Sequence, residues 1–179
     1  MKFLTHKVVE KNLQNVPYLK LRKVLFVCLG NICRSPIAEA VFTYLVKKRK
    51  LEEAWSCDSA ALGRWHEGKP PDYRARKVLC KHKIRYYGVS RVICRNDYKE
   101  FDFILGMDLN NISLLRDEKG NSKNCKAQIM LLGEFDPNGE KIIEDPYYDQ
   151  GIEGFEKCFQ QCFRSCEGFL DKYSLRTYK

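Results

Sequence analysis

The chain has 179 residues, with 32 Lys and Arg against 23 Asp and Glu, for a formal charge of +9. That length suits one domain, a 44% hydrophobic content excludes a disordered chain, and no apolar run approaches the ~18 residues of a membrane span. The opening MKFLTHKVVEKNLQN holds no apolar stretch of signal-peptide length, so a cytoplasmic protein is expected, and its nine cysteines read as free thiols.

Residues 1–22 are mostly polar and aperiodic, and read as an N-terminal extension ahead of a single domain over 23–179. VLFVC (24–28) is a short β-branched run, the mark of a buried strand. A loop, LGNIC, follows. Ile37, Val41, Tyr44 and Leu45 then recur at helical spacing, with Ser35 as the expected cap, Pro36 in the first turn, and Lys47 to Lys50 at the negative end. AWSCDSA (54–60) predicts a second strand, LGRWHEGKPP a long loop, and 72–83 a helix. FDFILGMD (101–108) predicts a third strand leading into a helix near 108–116, and AQIMLL (127–132) a fourth strand. A turn-rich loop through EDPYYD precedes a last helix over 152–172, whose apolar face carries Phe155, Phe159, Cys162, Phe163, Cys166 and Leu170. The alternation predicts an α/β fold: one domain with a four-stranded, mainly parallel sheet, helices on both faces, and a loop between the first core strand and its helix.

The chemistry sits in Cys28-Leu29-Gly30-Asn31-Ile32-Cys33-Arg34-Ser35. A loop that wraps into a helix N-terminus aims several backbone N–H groups at one spot, with the helix dipole behind them. A thiol in that field loses its proton readily, and a pKa drop of ~3 units is worth about 4 kcal/mol. Arg34 can close the loop as a bidentate clamp on two phosphate oxygens. Gly30 and Asn31 tolerate the left-handed backbone that a tight loop needs. The spacing C-x5-R is weak alone, since nine Cys and twelve Arg give roughly 0.6 chance matches. Cys158 to Arg164 also fits the spacing, but it lies mid-helix without a glycine or a preceding strand and reads as core plus a surface arginine. Cys158, Cys162 and Cys166 recur at helical spacing among phenylalanines, without a partner histidine, so they read as core and no metal is expected.

VLFVCLGNICRSPIAEAVF, DSAALGRW, GKPPDYRA, FDFILGMD and IIEDPYYD together resemble the low-molecular-weight protein tyrosine phosphatases over about residues 23–172. The resemblance implies hydrolysis of phosphotyrosine in two steps. Cys28 is the nucleophile, Arg34 and the loop residues Leu29, Gly30, Asn31, Ile32, Cys33 and Ser35 bind phosphate, and Asp145 is the general acid and base. Ser35 then hydrogen-bonds the Cys28 thiolate, while Asn31 pairs with Ser59 to hold the loop. Trp65, Tyr147 and Tyr148 wall a cleft deep enough for a phosphotyrosine ring, and the two tyrosines are themselves candidate phosphorylation targets. Cys33 is a redox partner for Cys28. Asp72 and Asp108 support loops, and Glu144 and Asp149 are local rivals of Asp145. A histidine that the family often carries near residue 88 is Gly88 here. Expected partners are phosphotyrosine proteins and small aryl phosphates, with inorganic phosphate as product. No cofactor, nucleic acid or membrane is expected, and the chain should be a monomer.

Four other readings compete. An arsenate-reductase-like thiol redox enzyme uses the same loop, but Cys80 and Cys94 do not resemble that family's relay. A phosphoarginine phosphatase carries Thr where this chain has Ile32. A catalytically inactive phosphate-binding module has no need of Cys28, Arg34, Ser35 and Asp145 together. A nucleic-acid binder would draw on the +9 charge. That charge is uneven, however: 1–23 carry +5, 64–95 carry +8 and 96–179 carry −5. The basic stretch 64–95 is expected to rim an anion-binding cleft instead.

Overall fold

A computed structural model describes residues 21–120 and 124–174. The expected extension therefore lies almost wholly outside the described residues. Its last member, Arg22, already belongs to the first strand.

The elements alternate as β1 (Arg22–Cys28), α1 (Arg34–Lys48), β2 (Trp55–Ala61), α2 (Tyr73–Lys81), α3 (Asp97–Glu100), β3 (Phe103–Gly106), α4 (Leu109–Lys119), β4 (Gln128–Leu131) and α5 (Glu153–Ser174). Short 3-10 turns occupy 132–135 and 146–148. The four strands form one sheet in the order β2-β1-β3-β4, with every neighbouring pair parallel. The predicted sheet is therefore present, with strand limits shifted by one or two residues. The four-residue α3 has no counterpart in the sequence reading, because a single turn is too short to display a period.

β1 sits inside the sheet and is buried on both faces, which is why its sequence is a continuous apolar run rather than an alternation. Val24 and Phe26 face a core that they share with α1, α2 and α5. Leu25 and Val27 face a second core completed by Tyr98 and Phe101 near α3 and by Leu115 of α4. Helices thus cover both faces. On the larger side Phe169 of α5 is wholly buried, and its ring lies 5.1 Å from Phe103, 5.5 Å from Trp55 and 5.1 Å from Phe135. Cys158, Cys162 and Cys166 are buried in the same core. Phe163 is only partly buried, whereas Phe169, which the predicted face omitted, lies inside.

The start of α1 departs from expectation in a useful way. The helix begins at Arg34 with Cys33 in the capping position and no side-chain cap bond. Ser35 does not cap it, because its hydroxyl is engaged by Cys28 and Asn31. Pro36 remains comfortable, since first-turn amides have no intrahelical acceptor to lose. Ile37 is the first residue to bond back, to the Cys33 carbonyl at 3.4 Å.

Candidate active site

β1 delivers Cys28 to the carboxyl edge of the sheet, next to the point where the chain continues to β2 on one side and β3 on the other. Open parallel sheets bind their ligands in this crevice. Beyond Cys28 the loop carbonyls turn outward and are satisfied by neighbours. Leu62 N–H donates to the Cys28 carbonyl, Gly63 to Leu29, Ser90 Oγ to Gly30 and Asp72 N–H to Ile32, at 2.8–3.1 Å. A trans peptide sets its C=O and N–H on opposite sides. The amides that follow these carbonyls, those of Leu29, Gly30, Asn31 and Cys33, therefore turn inward. The Asn31 amide is seen to do so, donating to Cys28 Sγ at 3.3 Å.

Asn31 takes the left-handed backbone, with φ 53°. Gly30 does not, and its smallness serves another end: a Cβ there would come 2.9 Å from the His66 ring. Asn31 Nδ2 donates to both Ser35 Oγ (2.9 Å) and Ser59 Oγ (2.8 Å). Ser35 Oγ lies 3.1 Å from Cys28 Sγ.

Arg34 is 2% exposed and stands between two carboxylates. Its Nη1 donates to Asp108 Oδ2 (2.6 Å) and the Ile143 carbonyl (3.2 Å), and its Nη2 to Asp145 Oδ2 (2.5 Å). Its Nε is buried without a partner. Burial disfavours the guanidinium charge, but Cys28, Asp145 and Asp108 outweigh it and hold the charge more firmly than usual. Asp108 also caps α4 by accepting the Asn111 N–H, so it fixes Arg34 to the end of β3. Cys33 is buried, and burial followed by the nearby Cys28 charge pushes its thiol far up, so it stays protonated.

A cavity of about 410 Å³ opens over this loop. Cys28, Ile32 and Cys33 line it together with Asp145, Trp65, Tyr147 and Tyr148. Trp65 and Tyr148 stand well out into solvent, and the Tyr147 and Tyr148 rings meet edge to face at 5.0 Å. The local rivals of Asp145 are elsewhere. Glu144 is exposed and pairs with Lys157 at 2.7 Å, while Asp149 lines a separate small cavity.

Two contributors were not singled out from the sequence. His66 lines the cavity, with its ring 6.0 Å from Tyr147. Arg74 ties down the segment after Asp145 by donating to the carbonyls of Tyr147 (2.9 Å) and Asp149. Asp72 holds Arg74 through a salt bridge at 2.9 Å and caps α2. The Pro-Pro-Asp-x-Arg run is the only local signal for Arg74. Of the stretch 64–95, expected to rim the cleft with its cations, Trp65 and His66 line the cavity and its Lys and Arg residues do not; four of those cations are paired instead, Arg64 with Glu67, Arg74 with Asp72, Lys81 with Glu156, and Arg91 with Asp58 and Asp97.

A thiol set in a nest of inward amides, backed by a buried arginine and overhung by a carboxylate, makes a site suited to an anion. Known proteins agree. The family model described as low molecular weight phosphotyrosine protein phosphatase matches residues 23–177. The mouse low molecular weight phosphotyrosine protein phosphatase is 50% identical over 151 residues, covering 84% of this chain and 95% of that protein. The crystal structure of Primo-1 superposes with a TM-score of 0.82 at 44% identity, covering 86% of this chain and 99% of its own. That of a Drosophila arginine phosphatase does so with 0.80 at 40%, covering 84% and 97%. The chain belongs to the low molecular weight phosphotyrosine protein phosphatase family.

Proposed function

We propose that this protein hydrolyses phosphotyrosine in proteins, and small aryl phosphates, through a phosphocysteine on Cys28. The Cys28 thiolate attacks phosphorus, an S–P bond forms and the P–O bond to the aryl group breaks. Asp145 gives the leaving phenolate its proton. Asp145, now a carboxylate, then takes a proton from water, which attacks phosphorus. The S–P bond breaks, the thiolate returns and inorganic phosphate leaves.

The observation that carries this reading is the state of Arg34. Its Nε is buried and unpartnered, while its Nη2 is held by Asp145. A phosphate dianion that takes Nε and Nη2 satisfies the orphaned donor and releases Asp145 from the arginine. Substrate arrival thus frees the acid at the moment it is needed. Inward amides and the Arg34 fork then stabilise the equatorial oxygens.

Cys33 serves as a redox guard. Peroxide oxidises the Cys28 thiolate to a sulfenic acid, and the Cys33 thiol displaces water from it to give a disulfide that a cellular thiol can reduce. Mild peroxide should inactivate the enzyme reversibly, with a peptide map joining Cys28 to Cys33. Irreversible loss without that link would refute the role. Nine free thiols suit a reducing compartment such as the cytoplasm, and we expect a monomer.

Because one solved relative is an arginine phosphatase, the test sets the two substrate classes side by side. The protein should turn over p-nitrophenyl phosphate at mildly acidic pH and a phosphotyrosine peptide, and Cys28→Ser should abolish both. The apolar Ile32 lining the cavity favours an aryl ester. Faster turnover of a phosphoarginine peptide than of the phosphotyrosine peptide would overturn the assignment.

A further inference from the structure

A second cleft, of about 510 Å³, opens between α1 and the segment that follows α2. It begins near Glu39, in the second turn of α1, and reaches Lys47, roughly 12 Å further along the helix. Three exposed cations line it: Lys47, Lys83 and Arg85. None of them meets a carboxylate at ion-pair distance among the described residues. Glu39, the one acid among the lining residues, is already engaged by Ser59 Oγ and Tyr86 Oη, both at 2.6 Å. Tyr44 and Tyr87 add exposed rings beside the cations. The cleft is therefore cationic, aromatic and unneutralised.

The backbone of its outer wall adds two features. Past α2 the chain closes with the Lys83 N–H on the Cys80 carbonyl and the Ile84 N–H on the Leu79 carbonyl, both at 2.9 Å. This ending puts residue 83 in the left-handed conformation, φ 60°, where glycine is the usual occupant. A lysine stands there in spite of the strain. From Arg85 to Val89, the main-chain N–H and C=O groups bond no described protein group. Free main-chain groups beside pockets for side chains suit an extended peptide. The far end of this segment belongs to the first cleft. Ser90 Oγ donates to the Gly30 carbonyl at 3.1 Å, and Ser90 shares main-chain bonds with Gly68 and Lys69, just past Trp65 and His66. Residues 85–90 thus join the two clefts, over at most about 18 Å of extended chain.

We propose that the second cleft is a docking site for the substrate protein: an acidic stretch about four to six residues from the phosphotyrosine lies along 85–89 and sets its carboxylates against Lys47, Lys83 and Arg85. This rests on the phosphotyrosine reading, since the occupant is the same chain whose phosphate reaches Cys28. The unpaired charge is all of one sign, so an acidic segment fits and a basic one is repelled. Phosphate held in the first cleft tethers the acidic stretch at high effective concentration over the second. Exposed ion pairs are individually weak and screened by salt, so the site lowers KM and leaves the chemical step alone.

The test uses the full chain and phosphotyrosine peptides that differ only in carrying three glutamates or three glutamines about four to six residues from the phosphotyrosine, with the run placed on either side. At low salt one acidic peptide should show a KM about tenfold below its glutamine twin at equal kcat, and the advantage should shrink at about 0.5 M salt. Lys83→Glu combined with Arg85→Glu should remove the preference, while kcat and KM for p-nitrophenyl phosphate stay within about twofold. Arg95→Glu combined with Lys99→Glu makes the same charge change beside α3, which packs on the other face of the sheet, and should keep the preference. Three results would overturn the proposal: no acidic preference in the unaltered protein, a preference that survives in the Lys83 and Arg85 variant, or an equal loss in the Arg95 and Lys99 variant, the sign of general attraction by net charge. If the Lys83 and Arg85 variant does not fold, Arg85→Ala decides, with a loss of about threefold in the preference expected and an unchanged preference counting against the site. A protein that turns over neither p-nitrophenyl phosphate nor any of the peptides would instead refute the phosphatase reading, and the docking site with it.

Discussion

On the proposed mechanism, Arg34 joins phosphate binding and acid catalysis at one residue. One guanidinium holds Asp108, which fixes it to the sheet, and Asp145, which must leave it. Asp145→Asn should lower kcat about 10²–10⁴-fold on phosphotyrosine and much less on p-nitrophenyl phosphate, whose leaving group needs little protonation. Equal losses on both substrates would mean that Asp145 holds the loop rather than delivering a proton. Arg34→Lys keeps the charge but loses the fork, so activity should fall about 10²–10³-fold. Inorganic phosphate should then inhibit far less well, and unchanged inhibition would contradict the clamp. That Cys28, Arg34 and Asp145 meet at one cleft was legible in the sequence because their motifs are local and ordered. His66 and Arg74 were not, since each reaches the cleft from a loop or helix start whose path only the fold reveals.

At the scale of elements, the strands and long helices could be read because burial on both faces and helical periodicity are written directly into β1 and α5. The start of α1 was misread for a physical reason. A serine before a proline is a good cap in isolation, but here the active site claims the hydroxyl. The 146–148 turn illustrates the opposite limit, for its position depends on Arg74, remote in sequence, bonding the Tyr147 carbonyl within it and the Asp149 carbonyl just after it. Arg74→Met should therefore loosen the segment that carries Asp145. We expect kcat to fall about tenfold to a hundredfold, as misplacing a reacting group by an ångström can do. Cys28 alkylation should stay unchanged, and a loss there of similar size would place Arg74 in the phosphate loop's support instead. At the core, Phe169→Ala should cost about 3–5 kcal/mol in urea unfolding, since that ring sits amid Trp55, Phe103 and Phe135.

For the whole molecule, the +9 charge divides into parts with different fates. In 64–95 only Lys81 and Arg91 pair with acids outside the stretch, so most of its excess faces solvent or other partners, and +3 of the N-terminal +5 lies in 1–20, outside the described residues. No described helix is long and apolar enough to cross a membrane. Removing residues 1–20 should leave kcat and KM for p-nitrophenyl phosphate within about twofold, well under the ~1.4 kcal/mol of a tenfold change. Stability should depend on acid through Glu156, which joins α5 to α2. Partial burial pushes its carboxyl up, but Lys81, His82 and Gln160 outweigh that and bring it down to about 2. A carboxylate depressed in the fold stabilises it above the unfolded value of ~4.3 and loses that contribution as pH falls toward the folded value. The urea midpoint should thus drop between about pH 5 and 2, and Glu156→Gln should flatten part of that drop while changing little below it.

Trapping the intermediate decides whether Cys28 carries the phosphoryl group. The enzyme should be mixed rapidly with p-nitrophenyl phosphate, quenched in alkaline denaturant, where an S–P bond survives, and mapped by mass spectrometry. We expect a burst of p-nitrophenol matched to the enzyme present and a phosphoryl adduct on the Cys28 peptide, both absent in Cys28→Ser. Turnover with the adduct on another residue, or full activity in Cys28→Ser, would contradict it.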